Sequence, residues 1–283
     1  MKSGVYINLN YIIMNLVKAN FSILEPSFDF KKDIELIART CYKSEDNIEE
    51  GSAEKFINNV LISKKHLAMC EHGTIYLIIP DCEYKEIYYF YQNNKYSVCN
   101  IIDKKAYITT NYRVILDNNR NEDLKYQSEF TLYHERRISV KFITDRGISH
   151  EFVRNRGEEG TGFGQESTRY CNYLKKKFGM SVTFIQPDWV LKEEETEFKE
   201  DLKTIEKIYF KWLNKGWKAQ QARGFLCHFV KTELWITATI HDWCHFLFLR
   251  ADKAAHPQAQ ELAYPLKEEF IKRNWLKEED IKY

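Results

Sequence analysis

The 283-residue chain has no apolar run long enough to span a bilayer, for which a helix needs roughly 20 such residues. Met1 to Leu24 lacks the ordered basic, apolar and small-residue regions of a secretory leader. Glycine and proline are few, at 11 and 5, and no stretch reads as a linker or a repeat. Charge of one sign is also missing. The 42 Lys and Arg against 41 Asp and Glu leave a formal +1, which argues against a bulk nucleic-acid binder. Seven cysteines (Cys41, Cys70, Cys82, Cys99, Cys171, Cys227, Cys244) are odd in number and form no C-x-x-C pair. That pattern suits reduced thiols in a cytoplasmic protein better than a disulfide framework or a zinc ribbon. Aromatics are plentiful at 15 %, as expected of a folded globular chain.

Hydrophobic spacing predicts helices over Phe30–Tyr42 and Ala53–Ala68, then a strand over Thr74–Ile79 stopped by Pro80. Tyr84–Ile102 is ambiguous, Ala106–Ile115 is extended or briefly helical, and Asp117–Asp123 is a polar loop. Alternation over Ile138–Phe142 predicts a strand with one buried face. A short helix carrying His150, Glu151 and Arg154 should follow, then a strand over Ser181–Ile185. Further helices are expected over Glu193–Asn214, Ala219–Thr237, Ile240–Ala251 and Glu261–Lys272. The whole reads as one α+β domain, residues 1–283, with a central, mostly antiparallel sheet flanked by helices.

One stretch concentrates the chemistry. Arg146 to Tyr173 holds four arginines (Arg146, Arg154, Arg156, Arg169), four acids, Gln165, Ser167 and five glycines. Guanidinium forks grip phosphate or carboxylate, and the glycines allow tight turns and close backbone approach. A solvated loop is the plainer alternative. His241 and His245 have the i, i+4 spacing of a helical zinc site, with Asp242 where a metalloprotease has Glu. No third ligand stands at a familiar spacing, so no metal is assigned. Cys171 beside Arg169 reads as a small buried thiol.

FVRNR followed by QESTRY resembles the signature of flavin-dependent thymidylate synthases, with Arg154, Arg156, Ser167 and Arg169 on its fixed positions. Four further segments resemble the family in the same order: ARTCYKS from Ala38, HLAMCEH from His66, ARGF around Arg223, and HFLFLRADKAAHPQ from His245. The resemblance implies reductive C5 methylation of dUMP to dTMP, with FAD as cofactor and NADPH and methylenetetrahydrofolate as co-substrates. It places Ala68, Glu71, Arg154, Asn155, Arg156, Gln165, Thr239, His241 and His245 at FAD. It places Glu151, Arg154, Gln165, Glu166, Ser167, Thr168, Arg169, Arg223 and Arg250 at the nucleotide, with Arg250 and Ser167 as catalytic residues. Arg250 would stabilise the N3-deprotonated ring.

Several positions depart from the family pattern. Asn155 replaces the middle histidine of R-H-R, Gln165 replaces a glutamate, and Ala68 a common threonine. Glu151 stands where the family has a glutamine, and Thr239 and His245 where it has asparagines. Gly157 to Gly162 also lengthens the loop. These changes leave open C5 methylation or hydroxymethylation of another pyrimidine nucleotide. A nucleotide sensor without chemistry is the reading from a different class. At about 100° per residue, Arg250 lies opposite His241 and His245 on one helix. Either that helix stops before Arg250 or its two sides serve different sites, as in the homotetramers that the resemblance implies.

Overall fold

The computed structural model describes residues 14–80, 85–155 and 157–281; Cys82 and Arg156 lie outside them. The architecture is α+β. Nine strands run in chain order: β1 (Asn15–Val17), β2 (Asn20–Leu24), β3 (Thr74–Ile79), β4 (Val98–Ile102), β5 (Lys105–Asn111), β6 (Arg137–Asp145), β7 (Gly162–Gln165), β8 (Thr183–Ile185) and β9 (Lys231–Thr239). The α-helices are α1 (Phe30–Tyr42), α2 (Ser52–Phe56), α3 (Lys85–Asn93), α4 (Tyr112–Asp117), α5 (Arg146–Phe152), α6 (Glu195–Asn214), α7 (Ala219–Ala222), α8 (Ile240–Arg250) and α9 (Pro257–Lys272).

A four-stranded antiparallel sheet, ordered β2-β6-β9-β7, occupies the centre. Its long pair is β6 with β9, in register from Arg137 opposite Thr239 to Asp145 opposite Lys231. Period-two alternation sends Ile138, Val140 and Phe142 of β6, with Leu234, Ile236 and Ala238 of β9, to one face. There they meet Ile148 and Phe152 of α5, Trp243, Phe246 and Leu247 of α8, and Leu262, Leu266 and Phe270 of α9. Each such large side chain contributes about 1.5–3 kcal/mol by leaving water. The opposite face is covered by α1: Trp235 donates from Nε1 to Thr40 Oγ1 at 3.1 Å.

A three-stranded antiparallel sheet, β3-β5-β4, packs with α1 and α4 in a second core around Ile34, Ile75, Leu77, Ile108 and Ile115. A third core joins β8, α6 and the segment after β7 through Tyr173, Phe184, Tyr209 and Phe210. There β1 and β8 form a short parallel pair.

The helix expected over Ala219–Thr237 is the main correction. Only Ala219–Ala222 is α-helical, Arg223 begins a 3₁₀ turn, and Lys231–Thr239 is a central strand. The sequence TELWITAT is rich in β-branched and aromatic residues, which favour a strand buried on both faces. The strand expected over Ile138–Phe142 extends to nine residues and is mostly buried on both faces for the same reason. The helix expected over Ala53–Ala68 passes from α2 into a π-helical turn, Ile57–Ile62, and ends there; Leu67–His72 is 3₁₀. Ambiguity over Tyr84–Ile102 resolves as α3 and β4, and Ala106–Ile115 as β5 running into α4. Arg154 falls just beyond α5.

Glu206 of α6 is 1 % exposed, and its carboxyl accepts from the Val182 amide at 2.6 Å. Burial pushes its pKa up to about 7, against the partial opposition of that hydrogen bond. The folded chain therefore holds this proton more tightly than the unfolded one. Stability should fall as pH rises from about 4.5 towards about 7 and then level off. Glu206→Gln keeps an acceptor for Val182 and removes the ionisation. It should stabilise the protein above neutrality by on the order of 2 kcal/mol and flatten the pH dependence of Tm. A Tm profile identical to the wild type would contradict this.

Candidate active site

Two clefts flank the 3₁₀ segment Leu67–His72. The larger, about 1000 Å³, is lined by Glu71, Asn94, Lys95, Tyr96, Arg113 and Arg154, together with Asn155 and the loop from Gly157 to Thr161. The smaller, about 490 Å³, is lined by Tyr42, His66, Ala68, Gln165, Ser167, Arg169 and Tyr170. Arg113 lines both and pairs with Glu71 at 3.0 Å and Asp117 at 3.1 Å. Burial raises the Glu71 carboxyl's pKa, and Arg113 partly opposes it.

Behind both clefts lies a buried polar layer on the α1 face of the central sheet. Arg137, 2 % exposed, donates to the Glu71 carbonyl at 2.7 Å and the Gly160 carbonyl at 2.9 Å. Burial lowers its pKa to about 10, partly offset by Tyr76 and Glu71, so it stays charged at neutral pH. His72 Nδ1 lies 2.6 Å from Thr237 Oγ1, which lies 2.7 Å from Ser139 Oγ. Burial, reinforced by Arg137, pushes His72 down to about 3, so the ring is neutral. Gly164 packs closely here: a β-carbon would stand 3.1 Å from His72 Nε2 and 3.3 Å from Ile37, so both neighbours would have to shift by a few tenths of an ångström.

The turn after β7 is held from both ends. The Ser167 amide donates to the Cys41 carbonyl at 3.0 Å, and the Glu166 amide to the Glu233 carbonyl at 2.8 Å. The Glu166 carboxylate accepts from Lys231 at 3.0 Å and from the Tyr173 hydroxyl at 3.1 Å. Glu233 receives Lys231 and Lys43, each at 2.6 Å. Burial alone would raise the Glu233 pKa, but the two ammonium groups outweigh it and hold it at about 2. On the cleft side, Tyr42 and Tyr170 lie 5.3 Å apart, the Tyr42 hydroxyl is 2.7 Å from His66 Nδ1, and Arg169 stands 5.6 Å over Tyr170. This makes an aromatic, cationic wall suited to a flat anionic ligand.

Of the residues that the resemblance assigns to FAD, Glu71, Arg154 and Asn155 line the larger cleft, and Ala68 and Gln165 the smaller. Gln165 also donates to Ser149 Oγ at 2.7 Å. Thr239 is buried and caps α8, accepting from the Asp242 amide at 3.2 Å. His241 is exposed, 3.8 Å from the Glu158 carboxylate, and neither it nor His245 lines either cleft.

Of those assigned to the nucleotide, Gln165, Ser167 and Arg169 share the smaller cleft. Arg223 instead donates to Thr168 Oγ1 at 3.3 Å, near Arg146, and Arg250 donates to the Glu151 carbonyl at 2.7 Å. Glu166 is 2 % exposed and saturated by Lys231 and Tyr173, so its carboxylate lines neither cleft. Of Arg169, Arg223 and Arg250, only Arg169 lines either of these two clefts. Because α8 continues to Arg250, the option of a helix ending earlier is removed.

Asp242 has a different role from a metal-site acid. It is 1 % exposed and accepts from the Glu158 amide at 2.7 Å, the Glu159 amide at 3.4 Å and Thr161 Oγ1 at 3.1 Å. A β-carbon at Gly157 would collide with this carboxylate. Among the described residues, no group of three His, Cys, Asp or Glu could hold a metal ion. Sequence reasoning also missed Arg113, Arg137, Lys231 and Asn94–Tyr96, none of which belongs to a local motif, and gave no role to Lys43 within ARTCYKS.

Two clefts backed by a fixed polar layer, with arginines at their rims and a glycine-rich loop lining the larger, have chemistry suited to phosphorylated ligands. A family model described as thymidylate synthase complementing protein matches residues 127–273, just over half of the chain, and the chain belongs to that family. The flavin-dependent thymidylate synthase of Pyrococcus furiosus is 28 % identical over 131 residues, covering 46 % of this chain and 52 % of that protein. That of Thermococcus kodakarensis is 31 % identical over 156 residues, covering 54 % and 62 % respectively. The chain thus spans between 52 and 62 % of the length of these two relatives. A solved structure, the UMP/dUMP methylase PolB from Streptomyces cacaoi bound with 5-Br dUMP, aligns with TM-score 0.44 and 13 % identity over 92 % of this chain and 93 % of that one. Among the described residues, no helix is long and apolar enough to cross a membrane.

Asp242 supplies charged acceptors to three donors of the loop, each worth about 1.5–3 kcal/mol in a buried setting. Asp242→Ala should speed limited proteolysis between residues 157 and 162 at least tenfold, with the rest of the chain intact. A cleavage rate equal to wild type would show that the loop is held by something else.

Proposed function

We propose that the protein is a flavin-dependent thymidylate synthase, converting dUMP to dTMP by reductive methylation at C5. The observation that carries this is the meeting of the family's segments at the clefts: Ala68 with Gln165, Ser167 and Arg169 in one, Glu71 with Arg154 and Asn155 in the other. FAD suits the donor set, since the larger cleft offers Arg154, Lys95 and Arg113 for phosphates, and Asn155 Oδ1 is buried without a partner among the described residues. Bound FAD, reduced by NADPH, would supply hydride, and methylenetetrahydrofolate the carbon.

In this reading Arg169 receives the nucleotide phosphate beside Ser167, and the Tyr42–Tyr170 wall excludes water from one side of the base. Arg250 would stabilise negative charge developing on the pyrimidine. A homo-oligomer, with a tetramer proposed, would let one copy's Arg250 and Arg223, which line neither cleft, complete a site begun by another's Arg169. C5 methylation or hydroxymethylation of a different pyrimidine nucleotide is favoured by one observation. The Glu151 carboxylate lies 3.9 Å from Arg250 Nη1, so the ring edge would meet an acceptor together with the cation.

Purified protein should absorb in the near-UV and blue as a flavoprotein and form dTMP from dUMP with the folate and NADPH. A colourless protein that takes up no FAD would overturn the reading; a flavoprotein inert on dUMP but active on UMP or dCMP would select the alternative. Arg169→Ala should weaken dUMP binding at least tenfold, by loss of a charge-assisted contact worth about 1.5–3 kcal/mol, while leaving FAD bound. Unchanged dUMP affinity would remove Arg169 from the nucleotide site.

A further inference from the structure

One wall of the larger cleft comes from Asn94, Lys95, Tyr96, Asn111, Arg113 and Asn118, all of which precede residue 127, where the family match begins. This wall is specific to the part of the chain that the family model does not match. Its charges are unevenly used. Arg113 is engaged by Glu71 and Asp117, whereas neither Lys95 nor Arg154 has a carboxylate partner among the described residues. Lys95 instead stands 4.7 Å over the Tyr96 ring.

Tyr96 is held as a platform. Its ring packs on Gly160, where φ is +92° and a β-carbon would come within 2.9 Å of the ring. Gly160 is in turn fixed by Arg137, which donates to its carbonyl at 2.9 Å. The ring itself remains 45 % exposed. Asn155, 4 % exposed, has Oδ1 without a hydrogen-bond partner in the same cleft. A free ammonium, a free guanidinium, an aromatic face and an orphaned acceptor together describe a receptor for a purine nucleotide diphosphate. The cations match the phosphates, the ring takes the base, and the amide oxygen accepts from an exocyclic amine or a ribose hydroxyl.

We propose that Lys95 and Tyr96, with Arg154 opposite, bind the adenosine-diphosphate half of FAD, so that the unmatched segment forms part of the cofactor site. This inference rests on the flavin reading above. The direct test measures the affinity of apo-protein for FAD, FMN and riboflavin by flavin fluorescence, with ADP as competitor, in wild type, Lys95→Ala and Tyr96→Ala. Both side chains are at the surface of the cleft, so Tm should be unchanged. FAD affinity should fall about tenfold in each variant, riboflavin affinity should not change, and ADP should compete in the wild type and lose potency in Lys95→Ala. A wild type that binds FAD, with FAD and ADP affinities indifferent to both substitutions, overturns this inference alone. A wild type that binds none of the three flavins overturns the flavin reading and this inference with it.

Discussion

A single buried guanidinium ties the site together. Arg137 opens β6, has no carboxylate in contact among the described residues, and directs its donors to backbone carbonyls of Glu71, Gly160 and Thr237 and to the Thr74 hydroxyl. A buried charge is tolerated only when its hydrogen bonds are made. Its desolvation therefore becomes a constraint on every segment it touches: the 3₁₀ turn before β3, β3 itself, the glycine loop and β9. Two of those segments, the 3₁₀ turn through Glu71 and the glycine loop through Gly157 to Thr161, line the larger cleft, and the two strands stand behind them. His72 in the same layer is kept neutral first by its burial, and the neighbouring Arg137 charge adds to that.

The turn that carries Ser167 and Arg169 depends on a second buried arrangement. Lys43 from the end of α1, Glu233 and Lys231 from β9, and Glu166 from the turn alternate in sign along one chain of contacts. Burying one ion pair often gains little, since desolvation offsets the attraction. Alternation changes that balance, because each carboxylate is shared by more than one donor and none is left uncompensated. The consequence is geometric. Glu166 is pulled inward to Lys231 and Tyr173, and Ser167 and Arg169 are left to line the smaller cleft. Glu166, an acid that the family resemblance places at the nucleotide, is thereby bonded to Lys231 and Tyr173 in the turn on which its neighbours stand.

Much of this was legible locally. Helix α1 and strand β3 have the bounds that periodicity gives: each carries a clean period, and Pro80 stops β3, while a left-handed Lys43, whose amide donates to the Arg39 and Thr40 carbonyls, ends α1 in the structure. The family segments also marked the lining of both clefts. Strand β9 was misread because a strand buried on both faces loses its alternation and imitates a helix. Burial on both faces is a tertiary fact, supplied by α1 on one side and α8 on the other. The same limit hides the ion chain and the Trp235–Thr40 contact, whose partners are 190 and 195 residues apart. Local spacing reports which residues share a face, and not which distant face they will meet.

Helix α8 shows why a motif must be weighed against its surroundings. His241-Asp242-Trp243-Cys244-His245 has metal-like spacing, yet Asp242 is turned inward at the first turn of the helix, where backbone donors of the neighbouring loop converge on it. A carboxylate there is stabilised by those amides and by the helix's own N-terminal field. It then acts as a fixed anion around which a loop of three glycines can fold. Nine residues further along α8 from His241, Arg250 emerges on the other side and grips the backbone of Glu151. The helix therefore links the glycine loop at one end to the Glu151–Arg250 pair at the other.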